Sequence, residues 1–348
     1  MGIHDRHYVR EERGGFGGGG GGMGGFGVGR VRGWSANTWI IVICIGVFVI
    51  NAFTINFTRW VQTGADIPPS VELSNSSRFQ FLRPGREDGQ RRYQVNRDVI
   101  DVQTGEKVGT VTFARMTLLH EWMHFSTART VLKPLKLFEF WRFIGFQFLH
   151  ADLTHLLFNM IGLFFFGPMA ERYLGSKRYV AFYLLCGIFG AVMYLLLNLG
   201  GFIATSVLER SVPILLVNSP WTPLIGASAG VFGVIMAGAF LAPNTRVLLM
   251  LIFPMRIVTL AWGLVIIALI AVVFGGNNAG GEAAHLGGAI AGFYFIRNPQ
   301  HLHGFFDILG RADPTSHHYR SGRRVETKAA RAGLVARSRS RSRSRSSP

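Results

Sequence analysis

Leu224-Ile-Gly-Ala-Ser-Ala-Gly-Val-Phe-Gly-Val-Ile-Met-Ala-Gly-Ala-Phe-Leu-Ala242 is a run of 19 residues without a charge. A helix rising about 1.5 Å per residue crosses about 30 Å of hydrocarbon in roughly 20 residues, so the run reads as a membrane span. Three more charge-free runs read the same way: Trp39–Phe57 with 19 residues, Tyr179–Leu199 with 21 and Ile257–Phe274 with 18. Only 16% of the 348 residues are charged, against about a quarter in a soluble domain. Two further stretches complete the set. Phe146–Phe166 is largely apolar but carries His150, Asp152, His155 and Asn159, and the short Ala283–Ile296 carries His285. Polar groups at membrane depth are costly and usually face an interior site, so they mark function. The expected fold class is an all-α membrane protein, a six-transmembrane-helix bundle with a polar insertion between the first and second spans.

Working outward, residues 1–35 form a Gly-rich N-terminus with too little apolar side chain to build a core, and are expected to be disordered. The first transmembrane helix is placed at 38–58, and an extramembrane insertion with the first loop at 59–143. The insertion holds a hairpin candidate, Arg92–Val102 and Lys107–Phe113 around Thr104-Gly105. Five further helices occupy 144–298, and 299–348 is a basic Arg/Ser-rich tail. From Arg297 onward there are 12 Lys/Arg against 3 Asp/Glu. Such a tail can bind nucleic acid. Tethered to a span it is read instead as a solvated tail near anionic headgroups, and no nucleic acid is expected.

Loop charge sets the orientation. Arg172, Lys177 and Arg178 follow the second span, and Arg246 and Arg256 follow the fourth, whereas the loop after the third holds Arg210 alone. Positive residues gather on the cytoplasmic side, which places both termini there. The two cysteines, Cys44 and Cys186, lie inside spans and indicate no disulfide framework.

In that orientation Ser228, His285, His155 and Asn159 share one depth towards the outer side. A serine hydroxyl becomes a nucleophile when an imidazole takes its proton, and the oxyanion formed on a peptide carbonyl needs preorganised donors. Ser228 lies at a helix N-terminus, where backbone N–H groups are unpaired. His155 and Asn159, at i,i+4, project from one helix face. Gly226-x-Ser228-x-Gly230 also fits the nucleophile elbow of α/β-hydrolases, but that elbow needs a preceding strand and an acid between serine and histidine. The single carboxylate in that interval is Glu282. The expected machinery is a Ser-His dyad.

These motifs resemble those of the rhomboid intramembrane proteases over roughly Phe140–Asn298. They are Trp141-Arg142, His150-x4-His155-x3-Asn159 within the second span, Gly226-Ala-Ser228, and Ala284-His285-Leu-Gly-Gly288-x3-Gly292. The resemblance implies a rhomboid-type bundle and an intramembrane serine endopeptidase that cleaves membrane proteins in or near their transmembrane segments. Ser228 would be nucleophile and His285 base, with His155, Asn159 and the Ser228 amide as oxyanion hole. His150 would help hold the site, Gly226 would flank the serine, and Phe232 would stack on the histidine. Trp141 and Arg142 would belong to a membrane-embedded loop. Ala229 departs from the glycine common in the family.

His120-Glu121-Trp122-Met123-His124 fits the H-E-x-x-H zinc pattern, yet no distal motif supplies the third ligand that a catalytic zinc needs. Neither metal nor cofactor is expected. The partners are transmembrane protein substrates and the lipid bilayer. The expected location is a multi-pass place in a bacterial plasma membrane, although the sequons at Asn56 and Asn75 keep a eukaryotic secretory membrane open. The competing expectation is a non-catalytic rhomboid-like protein that binds membrane clients. A third is a transporter or channel, for which no repeat symmetry is visible.

Overall fold

The computed structural model describes residues 33–68, 78–85, 93–132, 139–249, 253–276, 278–302 and 304–305. Chain contacts separate Met1–Trp34 from Ser35–Pro348, and the fold described below lies in the second unit. The Gly-rich N-terminus up to residue 32, the basic tail beyond residue 305 and the Asn75 sequon lie outside the described residues.

Each apolar run builds a helix. α1 is Ala36–Phe53, α4 Leu153–Leu174, α5 Ser176–Val207, α6 Ser228–Leu241, α7 Ile257–Val273 and α8 Ala279–Arg297, with short helices α2 (Leu118–Met123) and α3 (Arg142–Gly145) between the first two. Contacts fix their directions. The Glu171 carboxylate near the end of α4 accepts from the amides of Ala36 and Asn37 at the start of α1 (2.8 and 3.0 Å), so α1 and α4 are antiparallel. The first halves of α4, α6 and α8 meet around Ser228. At their far ends Phe166 approaches Gly238 and Arg297 stacks over Phe240. Accordingly α4, α6 and α8 run one way, and α1, α5 and α7 the other.

The chain is an integral membrane helical bundle. Among the described residues α1, α4 and α5 are long and apolar enough to cross a membrane, while α6 and α7 are shorter apolar helices. Large apolar side chains are turned outward along the bundle. Ile267 on α7 is 62% exposed, Phe164 on α4 67% and Leu196 on α5 60%, a continuous apolar surface that water would not tolerate.

Small residues bring α5, α6 and α8 together, as is usual where no aqueous hydrophobic force drives helices together. A Cβ on Gly288 of α8 would lie 2.0 Å from the Ala229 carbonyl oxygen of α6, and one on Gly292 would lie 2.4 Å from the Gly233 Cα. The backbones touch there.

The all-α expectation requires correction outside the bundle. Between α1 and α2 stands an antiparallel four-stranded sheet of order β1-β4-β3-β2, where β1 is Thr58–Asp66, β2 Phe79–Gln80, β3 Gln94–Asp101 and β4 Lys107–Thr117. β3 and β4 are the expected hairpin, and Gly105 at its turn has φ +71°. Val99, Val111 and Phe113 form its buried core, with Trp60, Phe79 and Phe81 packed alongside. Arg246 and Arg256 pair in a second hairpin, β5 (Arg246–Leu249) with β6 (Phe253–Arg256), where the residues alone point to no more than a charged loop.

Two span boundaries also change. The run from Leu224 becomes helical only at Ser228, because Leu224 is extended and exchanges backbone hydrogen bonds with Phe125 (3.0 and 2.7 Å). The second span starts at Leu153, where the Asp152 side chain caps the helix by accepting from the His155 amide (2.8 Å). His150 therefore sits in the loop ahead of the helix and not within it.

Candidate active site

The approach to Ser228 is built by backbone pairing. Besides the Phe125–Leu224 bridge, the Gly226 amide donates to the Phe146 carbonyl (2.9 Å). Gly226 has φ +132°, and a Cβ there would lie 2.8 Å from His155 Nε2 and 3.5 Å from Ser228 Oγ. Only glycine meets both demands. The turn delivers Ser228 as the first residue of α6, so its amide lacks an intrahelical acceptor.

Ser228 Oγ is 2.8 Å from His285 Nε2, and His285 Nδ1 is 2.9 Å from Glu282 Oε2. Phe232, one turn beyond the serine, stacks on the imidazole with centroids 4.2 Å apart and planes inclined by 12°. For Nε2 to accept the serine proton, the ring hydrogen must be on Nδ1, which then donates to Glu282.

His155 and Asn159 reach the same place from α4. The Ala151 amide points at His155 Nδ1 (3.5 Å), an arrangement that puts the ring proton on Nε2, the nitrogen beside Gly226. Asn159 is buried and donates one amide hydrogen to the His155 carbonyl (3.0 Å). Its second N–H remains available. Ser228, His285, Phe232, His155 and Asn159 all line one cavity of about 1360 Å³. His150 is buried with its ring edge-on to His155 (5.2 Å).

Trp141 and Arg142 lie away from the cavity and organise the loop that leads to it. Arg142 is 1% exposed, pairs with Glu139, and donates through Nη1 to the carbonyls of Glu121 (2.9 Å) and His124 (2.7 Å). Trp141 stacks on Trp122 and donates to its carbonyl (3.0 Å). The H-E-x-x-H stretch thus supplies backbone acceptors to an arginine. Its histidines are engaged within the protein, His120 Nδ1 with Thr117 Oγ1 (3.1 Å) and His124 Nδ1 with the His120 carbonyl (2.6 Å). Among the described residues no three His, Cys, Asp or Glu side chains converge as metal ligands.

Two contacts escaped sequence reasoning. The Phe125–Leu224 bridge joins segments about a hundred residues apart and leaves no local pattern. The contact of Glu282 with His285 has a local signal in their i,i+3 spacing, which puts both on one face of a helix. The structure also accommodates Ala229. Its methyl points at Gly190 of α5, where an added Cβ would lie only 2.6 Å away.

Residues 137–297 match the family model described as the Rhomboid domain. The chain is similar to "RHOMBOID-like protein 12, mitochondrial" of Arabidopsis thaliana, with 33% identity over 143 residues, or 41% of each chain. It is similar to "Rhomboid protease GluP" of Bacillus subtilis (strain 168), with 29% identity over 157 residues, 45% of this chain and 25% of that one. A shorter stretch of 54 residues is 46% identical to "Putative rhomboid protease YdcA" of the same bacterium, covering 16% of this chain and 27% of that one. The match thus spans well under half the length of each of these relatives. Residues 137–297 of this membrane helical chain are thus similar to the Rhomboid domain of these proteins.

Proposed function

We propose that the chain is an intramembrane serine endopeptidase that cleaves other membrane proteins in or near their transmembrane segments. The observation that carries the reading is the 2.8 Å contact between Ser228 Oγ and His285 Nε2 inside a cavity shared with His155 and Asn159.

The chemistry follows from these positions. Ser228 Oγ attacks the scissile carbonyl as His285 Nε2 takes its proton. The carbonyl oxygen gains charge and is met by the Ser228 amide, His155 Nε2–H and Asn159 Nδ2–H. The proton on Nε2 then passes to the leaving amine. Water activated by the same nitrogen cleaves the acyl-enzyme.

Substrate access is supported by the shape of the cavity. From Ser228 it continues between Phe158 and Phe165 of α4 and Leu260 and Leu264 of α7. That apolar side wall suits a transmembrane segment arriving from the bilayer. Spans that unwind easily are the expected substrates, since the scissile carbonyl must leave its helical hydrogen bond.

All six long helices are read as spans. Arg172, Lys177, Arg178 and the Arg246–Arg256 hairpin lie at the bundle end away from Ser228, where α1 begins and α8 ends. Positive residues favour the cytoplasmic side. This reading puts both termini in the cytoplasm, the site towards the outer face and the β1–β4 sheet of the insertion outside the membrane, with a bacterial plasma membrane as the location.

The test uses purified protein in detergent micelles, a fluorophosphonate probe and a model transmembrane substrate. Wild-type protein is expected to label and to cleave, whereas Ser228→Ala and His285→Ala do neither. Cleavage surviving in Ser228→Ala would refute the assignment. A wild type that neither labels nor cleaves, yet holds transmembrane clients in pull-downs, would replace it with client binding.

A further inference from the structure

We infer that Glu282 is the positioning carboxylate of this site, so that the machinery is a Ser228–His285–Glu282 relay and not a bare pair. The inference rests on the reading of Ser228 and His285 as nucleophile and base. Glu282 Oε2 lies 2.9 Å from His285 Nδ1, while Nε2 of the same ring lies 2.8 Å from Ser228 Oγ. The three groups are in series, and each contact has hydrogen-bond length.

Local structure produces this alignment. The Glu282 amide makes the first helical bond of α8, to the Asn278 carbonyl (3.0 Å). The carboxylate therefore sits in the first helical turn, where the unpaired amides and the helix dipole favour negative charge. His285 follows three residues later on the same face. Both side chains are mostly covered, with 21% and 15% of their surfaces exposed, so water competes weakly for the contact. Phe232 closes one face of the imidazole. The ring is thus held on one face and at both nitrogens.

That geometry has a chemical consequence. Neutral imidazole exists as two tautomers, and only the one protonated on Nδ1 leaves Nε2 free to accept the serine proton. A carboxylate at Nδ1 accepts but cannot donate, so it selects this tautomer and orients the ring. When the proton of Ser228 moves to Nε2, the imidazolium positive charge faces the Glu282 negative charge. The Nδ1 proton stays on nitrogen throughout, and the Nε2 proton leaves with the amine. A solvent-exposed i,i+3 pair of merely structural value would contribute little to anything. The catalytic readout therefore separates the two roles.

The experiment compares wild type, Glu282→Gln and Glu282→Ala in micelles. Four quantities are read: cleavage of a transmembrane substrate, the fluorophosphonate labelling rate, the histidine ring ¹⁵N resonances and the unfolding midpoint. Glutamine keeps the size but can donate to Nδ1, which favours the wrong tautomer. Its kcat is expected to fall about 10- to 100-fold, less than the roughly 10²- to 10⁴-fold that a general base commands because His285 itself remains, with KM changed by less than about twofold. Labelling should slow in parallel, and the His285 signal should shift towards the Nε2–H form. The unfolding midpoint should stay in place.

Wild-type kcat and labelling in folded Glu282→Gln or Glu282→Ala would overturn the inference while leaving the Ser-His assignment standing. A loss of activity matched by a loss of folded protein, with the His285 tautomer unchanged, would overturn it as well. A wild type that does not label at all is the separate failure of the proposed function.

Discussion

Gly288→Ala is the sharpest test of how the fold holds the site. An added methyl at 288 would meet the Ala229 carbonyl oxygen at 2.0 Å, the carbonyl carbon at 2.7 Å and Cα at 2.9 Å. All three atoms are backbone, so no side-chain rotation relieves the overlap. Restoring ordinary contact in a close-packed interior requires α6 and α8 to move apart by roughly 1 Å or more. Ser228 immediately precedes Ala229, and His285 lies three residues before Gly288 on the same side of α8. The same movement therefore stretches the 2.8 Å Ser228–His285 contact beyond hydrogen-bond range. A misplacement of this size costs about 100-fold in rate, and overpacking of this kind costs about 1–3 kcal/mol in stability. The assay is the fluorophosphonate labelling rate in micelles, with the unfolding midpoint measured on the same samples. Gly263→Ala on α7 is the control, since a Cβ there meets nothing within 4 Å. Labelling of Gly288→Ala at the rate of the Gly263→Ala control would refute the claim that the α6–α8 contact positions the pair.

Asn159→Ala removes one oxyanion donor and should lower kcat about 10²- to 10³-fold at nearly unchanged KM. An equal effect on binding of an uncleaved substrate would show that Asn159 acts elsewhere. Stability should also depend on pH through His124 in the loop beside Arg142. Burial, with Arg142 and Arg129 nearby, pushes its imidazole down from 6.5 to about 3. The unfolded chain then takes up the proton first. The contribution of neutral His124 is full above about pH 6.5 and is lost as the pH falls towards 3. At pH 5 the loss comes to about 2 kcal/mol. It is read as a falling unfolding midpoint in micelles between pH 7 and pH 5, which His124→Gln should make shallower, the remainder belonging to His120 and His150, which burial also pushes down. An equally steep fall in that variant would assign the dependence to another group.

Much of the bundle is legible in the residues. Charge-free runs of about 18 to 21 residues have one low-energy solution in hydrocarbon, a helix that satisfies its own backbone. Trp39–Phe57, Tyr179–Leu199 and Ile257–Phe274 became α1, α5 and α7, with boundaries within four residues except at the end of α5, which runs on to Val207. The runs from Phe146 and Leu224 begin ahead of the helices they contain, which start at Leu153 and Ser228. Hydropathy counts apolar side chains, whereas the Asp152 cap and the Phe125–Leu224 bridge decide where the helices begin. The β5–β6 hairpin was hidden for a similar reason, since cross-strand pairing of Arg246 with Arg256 leaves no local periodicity.

Sequence by itself determined that the chain is a membrane helical protein and that glycines line α6 and α8, and it set one expected depth for Ser228, His285, His155 and Asn159. These are matters of composition and spacing along one chain. The tertiary structure decided which of those groups meet. It set the 2.8 Å contact of Ser228 with His285, brought His155 against Gly226, and aligned Glu282 behind the imidazole. It also turned the H-E-x-x-H stretch from a candidate metal motif into the seat of a buried arginine. The reason is physical. Depth follows from solvent transfer, which is additive over residues, whereas contacts of 3 Å depend on how separate helices pack, and packing is a property of the assembled backbone.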